Sequence, residues 1–138
     1  KDKNYYTNED PIFEFPAIPY CGDDFRCKQS TGNSLFEGWV GDSLQELNTG
    51  KDYVRQRIAD FLTELLSVGI TGFSIYNAKY ISPDDFCEIL SKFKNNCEGK
   101  SFPDDFLFIL EISPENNDDN RKKLFCTENS GINFGVSF

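Results

Sequence analysis

An α/β fold with parallel strands is predicted for this chain by three observations. An amphipathic helix starting near Thr49 is closed by Gly69 and runs straight into a short apolar segment, Ile70 to Tyr76. A second helix start follows at Ser82-Pro83-Asp84-Asp85, and after Gly99 and Pro103 comes another continuous apolar run, Phe106 to Ile112. Strand, helix and strand in this order form a right-handed crossover, which makes the two strands parallel neighbours.

The first 48 residues show little periodicity and are rich in Asn, Asp, Gly, Pro and aromatic residues. They read as an irregular excursion, with Pro-bounded turns in Phe15-Pro16-Ala17-Ile18-Pro19-Tyr20 and a candidate Cys21–Cys27 bond, rather than as regular sheet. Asp23, Asp24, Asp42 and Glu46 read as solvated loop acids, although clustered oxygens are also what a hard cation such as Ca2+ takes. From residue 49 onward the pattern becomes regular. Thr49 with Asp52 three residues on reads as an N-cap, and Val54, Ile58, Phe61, Leu65 and Val68 recur at steps of four, three, four and three, defining one buried face. Gly69 ends that helix by tolerating a left-handed backbone.

The segment Ile70 to Tyr76 suits a central parallel strand covered on both faces. Ser82 caps the next helix, Pro83 takes its first position, and Asp84 and Asp85 favour the positive end of its dipole. Phe86, Ile89, Leu90 and Phe93 supply the inner face. Ser113 to Lys123 reads as a polar, solvated connection. Ile132, Phe134, Val136 and Phe138 alternate at period two, so the chain is expected to end in a third strand.

At 138 residues the chain can bury a core of its own, and fourteen Phe, six Tyr and one Trp supply the apolar area. It falls short of a complete eight-fold barrel, which takes ~250 residues. A net charge of −9, with no clustering of Lys and Arg among aromatics, argues against nucleic acid as a partner. No run reaches the length of a membrane span. The start at Lys1 without Met suggests a processed or excerpted segment.

Five cysteines in a small acidic chain favour an oxidising compartment, and hence a secreted or extracytoplasmic protein. Cys97 is the better disulfide candidate with Cys126, and Cys87 reads as an ordinary buried thiol. The chain has no histidine, which removes the commonest general base and every Ser-His or Cys-His nucleophile. With no Cys-x-x-Cys pair either, a zinc site is not expected.

Gly72-Phe73-Ser74-Ile75-Tyr76-Asn77-Ala78-Lys79-Tyr80 resembles the fourth-strand motif of the α-amylase family of glycoside hydrolases, Gly-Phe-Arg-x-Asp-Ala-x-Lys-His. Phe15 to Tyr20, followed by Asp24-Phe25 and Cys27-Lys28, is similar to the small domain that interrupts the amylase barrel after its third strand. Leu44 to Leu47, with Asn48, Thr49, Lys51, Asp52, Tyr53, Val54 and Arg55, is similar to the family's Leu-x-Asp-Leu-Asn segment and the helix after it. Ile109-Leu110-Glu111-Ile112 corresponds to the fifth-strand end. The resemblance covers roughly residues 15–112. It implies a partial (β/α)8 barrel around strands four to six, with 1–48 as a remnant of the inserted domain and 49–138 as the barrel segment.

The resemblance also assigns roles. Glu111 falls at the general acid, Tyr76 replaces the nucleophilic Asp, Ser74 replaces an Arg, and Lys79 and Tyr80 occupy substrate-binding positions, Tyr80 in place of a His. Glu46 falls at a calcium-ligand Asp, so calcium is the cofactor the resemblance implies. Retaining hydrolysis needs an attacking carboxylate about 5 to 5.5 Å from the acid. A free phenol ionises only near pH ~10, a poor nucleophile at neutral pH.

Tyr76 therefore reads as a ring filling the substrate's place, and Glu111 as a relic or an ion-pair partner of Lys79. The function expected is that of an inactive amylase-like protein kept for binding or assembly, with another protein chain covering the open barrel. Two alternatives stand beside it. One is an α-glucan hydrolase whose other catalytic groups lie on a separate chain; the other is a carbohydrate-binding module using Tyr76, Tyr80, Lys79 and Trp39.

Overall fold

The computed structural model describes residues 20, 22–26, 39–40, 44–98, 102, 104–112 and 117–137. They divide into two compact units, Lys1–Val54 and Arg55–Phe138. In the first, β1 (Trp39–Val40) and β2 (Leu44–Gln45) pair antiparallel, and Phe25 bridges Leu47 in the same sense. This is short sheet where the sequence reads irregular chain. Strands of two residues are too brief to leave a period in the pattern. The Cys21–Cys27 bond falls outside the described residues.

The second unit is mixed helix and strand around a three-stranded parallel sheet in the order β3 (Gly72–Ile75), β4 (Leu107–Glu111), β5 (Asn133–Ser137). The final strand lies where the period-two alternation places it. Helix α1 (Asp52–Ser67), whose first turn belongs to the first unit, precedes β3. Helices α2 (Pro83–Asn96) and α3 (Asp118–Ser130) follow β3 and β4. At the end of α1, Gly69 has φ +98. Its N–H donates to the Leu66 carbonyl, and the Ile70 N–H reaches back to that of Leu65. That pair of bonds is the Schellman termination the glycine predicts.

Helix α2 matches its sequence signals. The Ser82 hydroxyl accepts from the Asp85 N–H at 3.2 Å, Pro83 opens the helix, and Phe86, Ile89, Leu90 and Phe93 are all buried. We expect Ser82→Ala to cost about 1 kcal/mol in urea unfolding, the usual value of a lost N-cap.

Four expectations are corrected. The inner face of α1 keeps Val54, which is fully buried, and Ile58 from the expected set, but not Phe61, Leu65 or Val68. Ala59 and Leu62 are buried in the core, with Ile58 and Leu66 against it, while Phe61 is 58% and Val68 73% exposed. Apolar residues cover an arc of this helix wider than one face. The core takes the half rotated by roughly one residue, about 100°, which brings in Ala59, Leu62 and Leu66.

The central strand is β4, not β3, and among the described residues the sheet is covered on one face. Phe73, Ile75, Phe108, Leu110 and Phe134 point into the core, but Ser74, Leu107 and Ile109 on the opposite face are exposed. Continuous apolar sequence records what a strand tolerates on both sides, whether or not both sides are covered here.

Residues 118–123 belong to a helix rather than to the solvated connection read over Ser113 to Lys123. Helix α3 is capped by the Asn117 side chain, which accepts from the Asn120 N–H at 2.9 Å, and it closes on Gly131 at φ +74. Its buried positions include Asn120, Lys123, Thr127 and Ser130, so no apolar period marks it.

The disulfide is Cys87–Cys126, with the two Cα atoms 5.5 Å apart, and Cys97 is buried in the core instead. Cys87 and Cys126 sit on the facing sides of α2 and α3. Cys97 lies one residue beyond α2 and packs inward.

Candidate functional site

The carboxyl ends of β3 and β4 carry the chemistry-bearing residues. Their alignment begins at Gly72, where a Cβ would lie 2.7 Å from the Leu107 carbonyl oxygen, so only glycine allows the two backbones to approach this closely. The register then runs Phe73 to Phe108, Ser74 to Ile109 and Ile75 to Leu110. One step further brings Tyr76 level with Glu111, both just where each strand gives way to loop.

Tyr76 is 77% exposed. At Asn77 the backbone turns left-handed, φ 56 and ψ 30, a conformation that asparagine tolerates better than most residues. The Asn77 N–H donates to Glu111 Oε2 at 2.9 Å. A short 3-10 turn, Ala78–Tyr80, follows, in which Lys79 Nζ lies 5.3 Å from the centre of the Tyr80 ring. Among the described residues no ion pair joins Lys79 to Glu111; the carboxylate faces a backbone amide instead. Lys79 turns toward the neighbouring ring because an amine gains from the negative face of an aromatic system.

A residue with no signal in the sequence completes the group. Lys123 of α3 is fully buried and donates from Nζ to the Ala78 carbonyl at 2.8 Å. Burial in apolar surroundings lowers its pKa from 10.5 to about 8, against the opposing pull of the Asp119 carboxylate. Nothing in a run of Asn, Asp, Arg and Lys distinguishes this lysine from its neighbours. The flanks of its helix were readable: Asn117 with acids after it, and Gly131 at the end, are ordinary start and stop signals.

Tyr76, Lys79, Tyr80 and Glu111 thus meet at one end of the sheet. Glu46 belongs to the other unit and lies 3.6 Å from Arg26 Nε. Asp24, read as solvated, is buried and bonded to Lys51 Nζ at 2.7 Å. Glu46 and Asp24 each face a cation, and among the described residues no three His, Cys, Asp or Glu side chains are gathered to hold a metal, while Asp42 lies outside the described residues. Only the backbone of Trp39 is described, paired with Gln45.

No protein-family profile matches this sequence. Human alpha-amylase 1B is 39% identical over 94 residues, 59% of this chain and 18% of the relative. Pancreatic alpha-amylase of Sus scrofa is 38% identical over the same shares. An alpha-amylase-related protein of Drosophila willistoni is 33% identical over 95 residues, 64% of this chain and 19% of the relative. The chain therefore spans about a fifth of the length of the curated relatives it matches.

Proposed function

Because this chain carries an α-amylase family segment, we propose that it is an amylase-like scaffold without hydrolase activity of its own, kept for binding or assembly. The end of β3 carries this proposal: an exposed phenol, Tyr76, stands where the resemblance puts the attacking carboxylate. A lone acid cannot perform retaining hydrolysis without that partner, and the chain offers no histidine as a substitute base.

In this account 49–138 is a barrel segment and 1–48 a remnant of the inserted domain. Helices on one face of a parallel sheet support it. So does the other face, where Leu107 and Ile109 are 38% and 37% exposed, since purely parallel sheets are ordinarily covered on both sides. Another chain covers that face. The exposed half of α1, with Phe61 and Val68, is a second apolar surface, separate from that face. The Cys87–Cys126 bond is consistent with an extracytoplasmic location, and we place the protein among secreted ones.

The deciding assay is hydrolysis of starch and maltooligosaccharides by the full chain and its Glu111→Gln variant. Both are expected to release equally little. Hydrolysis by the wild type that the variant lacks overturns the proposal in favour of a hydrolase.

One observation favours α-glucan as the bound partner. Tyr76 is open to solvent rather than packed, as a ring that stacks on a sugar must be, with Lys79 and Tyr80 in the turn just after it. Calorimetric titration with maltooligosaccharides is expected to give binding that Tyr76→Ala abolishes. No heat with the wild type rejects the glucan.

A further inference from the structure

We infer that Glu111 and Lys123 are positioning residues that together fix the Asn77–Ala78 backbone and so hold the exposed Tyr76 in place. This goes beyond the loss of hydrolysis, because it gives the acid at the end of β4 a role that needs no substrate. It also brings in a lysine that the family resemblance does not touch.

Two grips fall on consecutive residues from two different elements. From β4, Glu111 Oε2 accepts the Asn77 N–H at 2.9 Å; from α3, Lys123 donates to the Ala78 carbonyl at 2.8 Å. Between them sits the one non-glycine residue with positive φ among the described residues, Asn77. A backbone of that kind persists where its surroundings determine it.

The burial of Lys123 points the same way. A lysine on a surface helix ordinarily carries its amine to water, yet this one is fully buried with its nitrogen on a backbone oxygen. The amine donates whether or not it is charged, so the grip survives its deprotonation. Ala78 is itself fully buried, and without that donor its carbonyl keeps the Ile81 N–H at 3.2 Å but loses the shorter of its two bonds, which water cannot readily replace. Tyr76 is the residue just before the gripped segment.

Glutamine separates positioning from proton donation. In Glu111→Gln the amide oxygen still accepts from the Asn77 N–H, whereas Glu111→Ala leaves nothing to accept. Amide hydrogen exchange of the full chain, measured by NMR with Phe108 in the core strand as the reference for global stability, is the test. Relative to Phe108, Asn77 is expected to exchange about tenfold faster in Glu111→Ala and to stay within about threefold of wild type in Glu111→Gln. In Lys123→Met the amides of Tyr80 and Ile81, which donate to the Asn77 and Ala78 carbonyls, are expected to exchange about tenfold faster.

Equal Asn77 exchange in wild type and Glu111→Ala overturns the inference, and so does exchange in Glu111→Gln as fast as in Glu111→Ala. Should Lys123→Met not fold, the wild-type Nζ protons decide. A distinct, slowly exchanging Lys123 amine signal is expected, and one averaged with the other lysines overturns its share. These rates are read without glucan, so failure of glucan binding leaves them untouched and failure of the grips leaves the glucan titration to stand on its own.

Discussion

Removing the Cys87–Cys126 bond lowers the stability of the chain by about 4 kcal/mol, the largest effect expected of any single change here. The bond joins positions 39 residues apart. Closing a loop of that length withdraws conformational freedom from the unfolded chain, and the loop-entropy relation gives roughly 4 kcal/mol. Natural disulfides in small secreted domains cost about 2 to 5 kcal/mol when lost. In the folded chain the bond ties α2 to α3. That helix has a buried side that is largely polar, and its tie to α2 takes the place of the apolar stripe that usually holds a helix down. Urea unfolding of the Cys87→Ala/Cys126→Ala variant, compared with wild type under non-reducing conditions, measures it. A midpoint unchanged by the substitution would show that the helix is held without the bond.

Raising the pH from 8 to about 10.5 stabilises the protein by roughly 3 kcal/mol through Lys123 alone. In the unfolded chain this amine keeps its proton to about 10.5; in the folded chain burial releases it near 8. Between those values the unfolded state binds more protons, so stability climbs as pH rises through the window and levels off on either side. Most proteins lose stability there, which makes the direction diagnostic. Tyrosines titrate in the same range, so the quantity to measure is the difference between wild type and Lys123→Met at each pH. The variant is expected to lack the upward slope. Identical slopes in the two proteins would mean that the amine is hydrated in solution. An NMR titration of the Lys123 side chain, with its midpoint near 8, reads the same ionisation without a variant.

The two effects concern one helix, and α3 is the part of the molecule least legible in sequence. Its start and stop were written in Asn117 and Gly131, but its interior carries Lys123, Thr127 and Ser130 where a core-facing helix normally places aliphatic residues. Helix α2 is the opposite case. Ser82, Pro83 and the run Phe86, Ile89, Leu90, Phe93 announced its start and its face, and both agree with the structure. Helix α1 lies between them: Gly69 announced its end, but Thr49 is not its cap, since the helix begins at Asp52, and its apolar arc was too wide to tell which half meets the core.

At the candidate site, the family resemblance singled out Tyr76, Lys79, Tyr80 and Glu111, and the strand order put Tyr76 and Glu111 at the same end of the sheet. What Glu111 touches was not in the pattern. Its partner is the backbone of Asn77, and hydrogen bonds to backbone leave no complementary residue to recognise.

By itself, then, the amino-acid order determined the Ser82 cap of α2, the Gly69 stop of α1, the strand sequence and the parallel crossover, because these depend on local backbone preference and on period. Only tertiary structure decided which cysteines join, which strand is central, which sheet face stays open and which lysine is buried. Each of those is set by distances between residues far apart in the chain, and contact at a distance has no local signature.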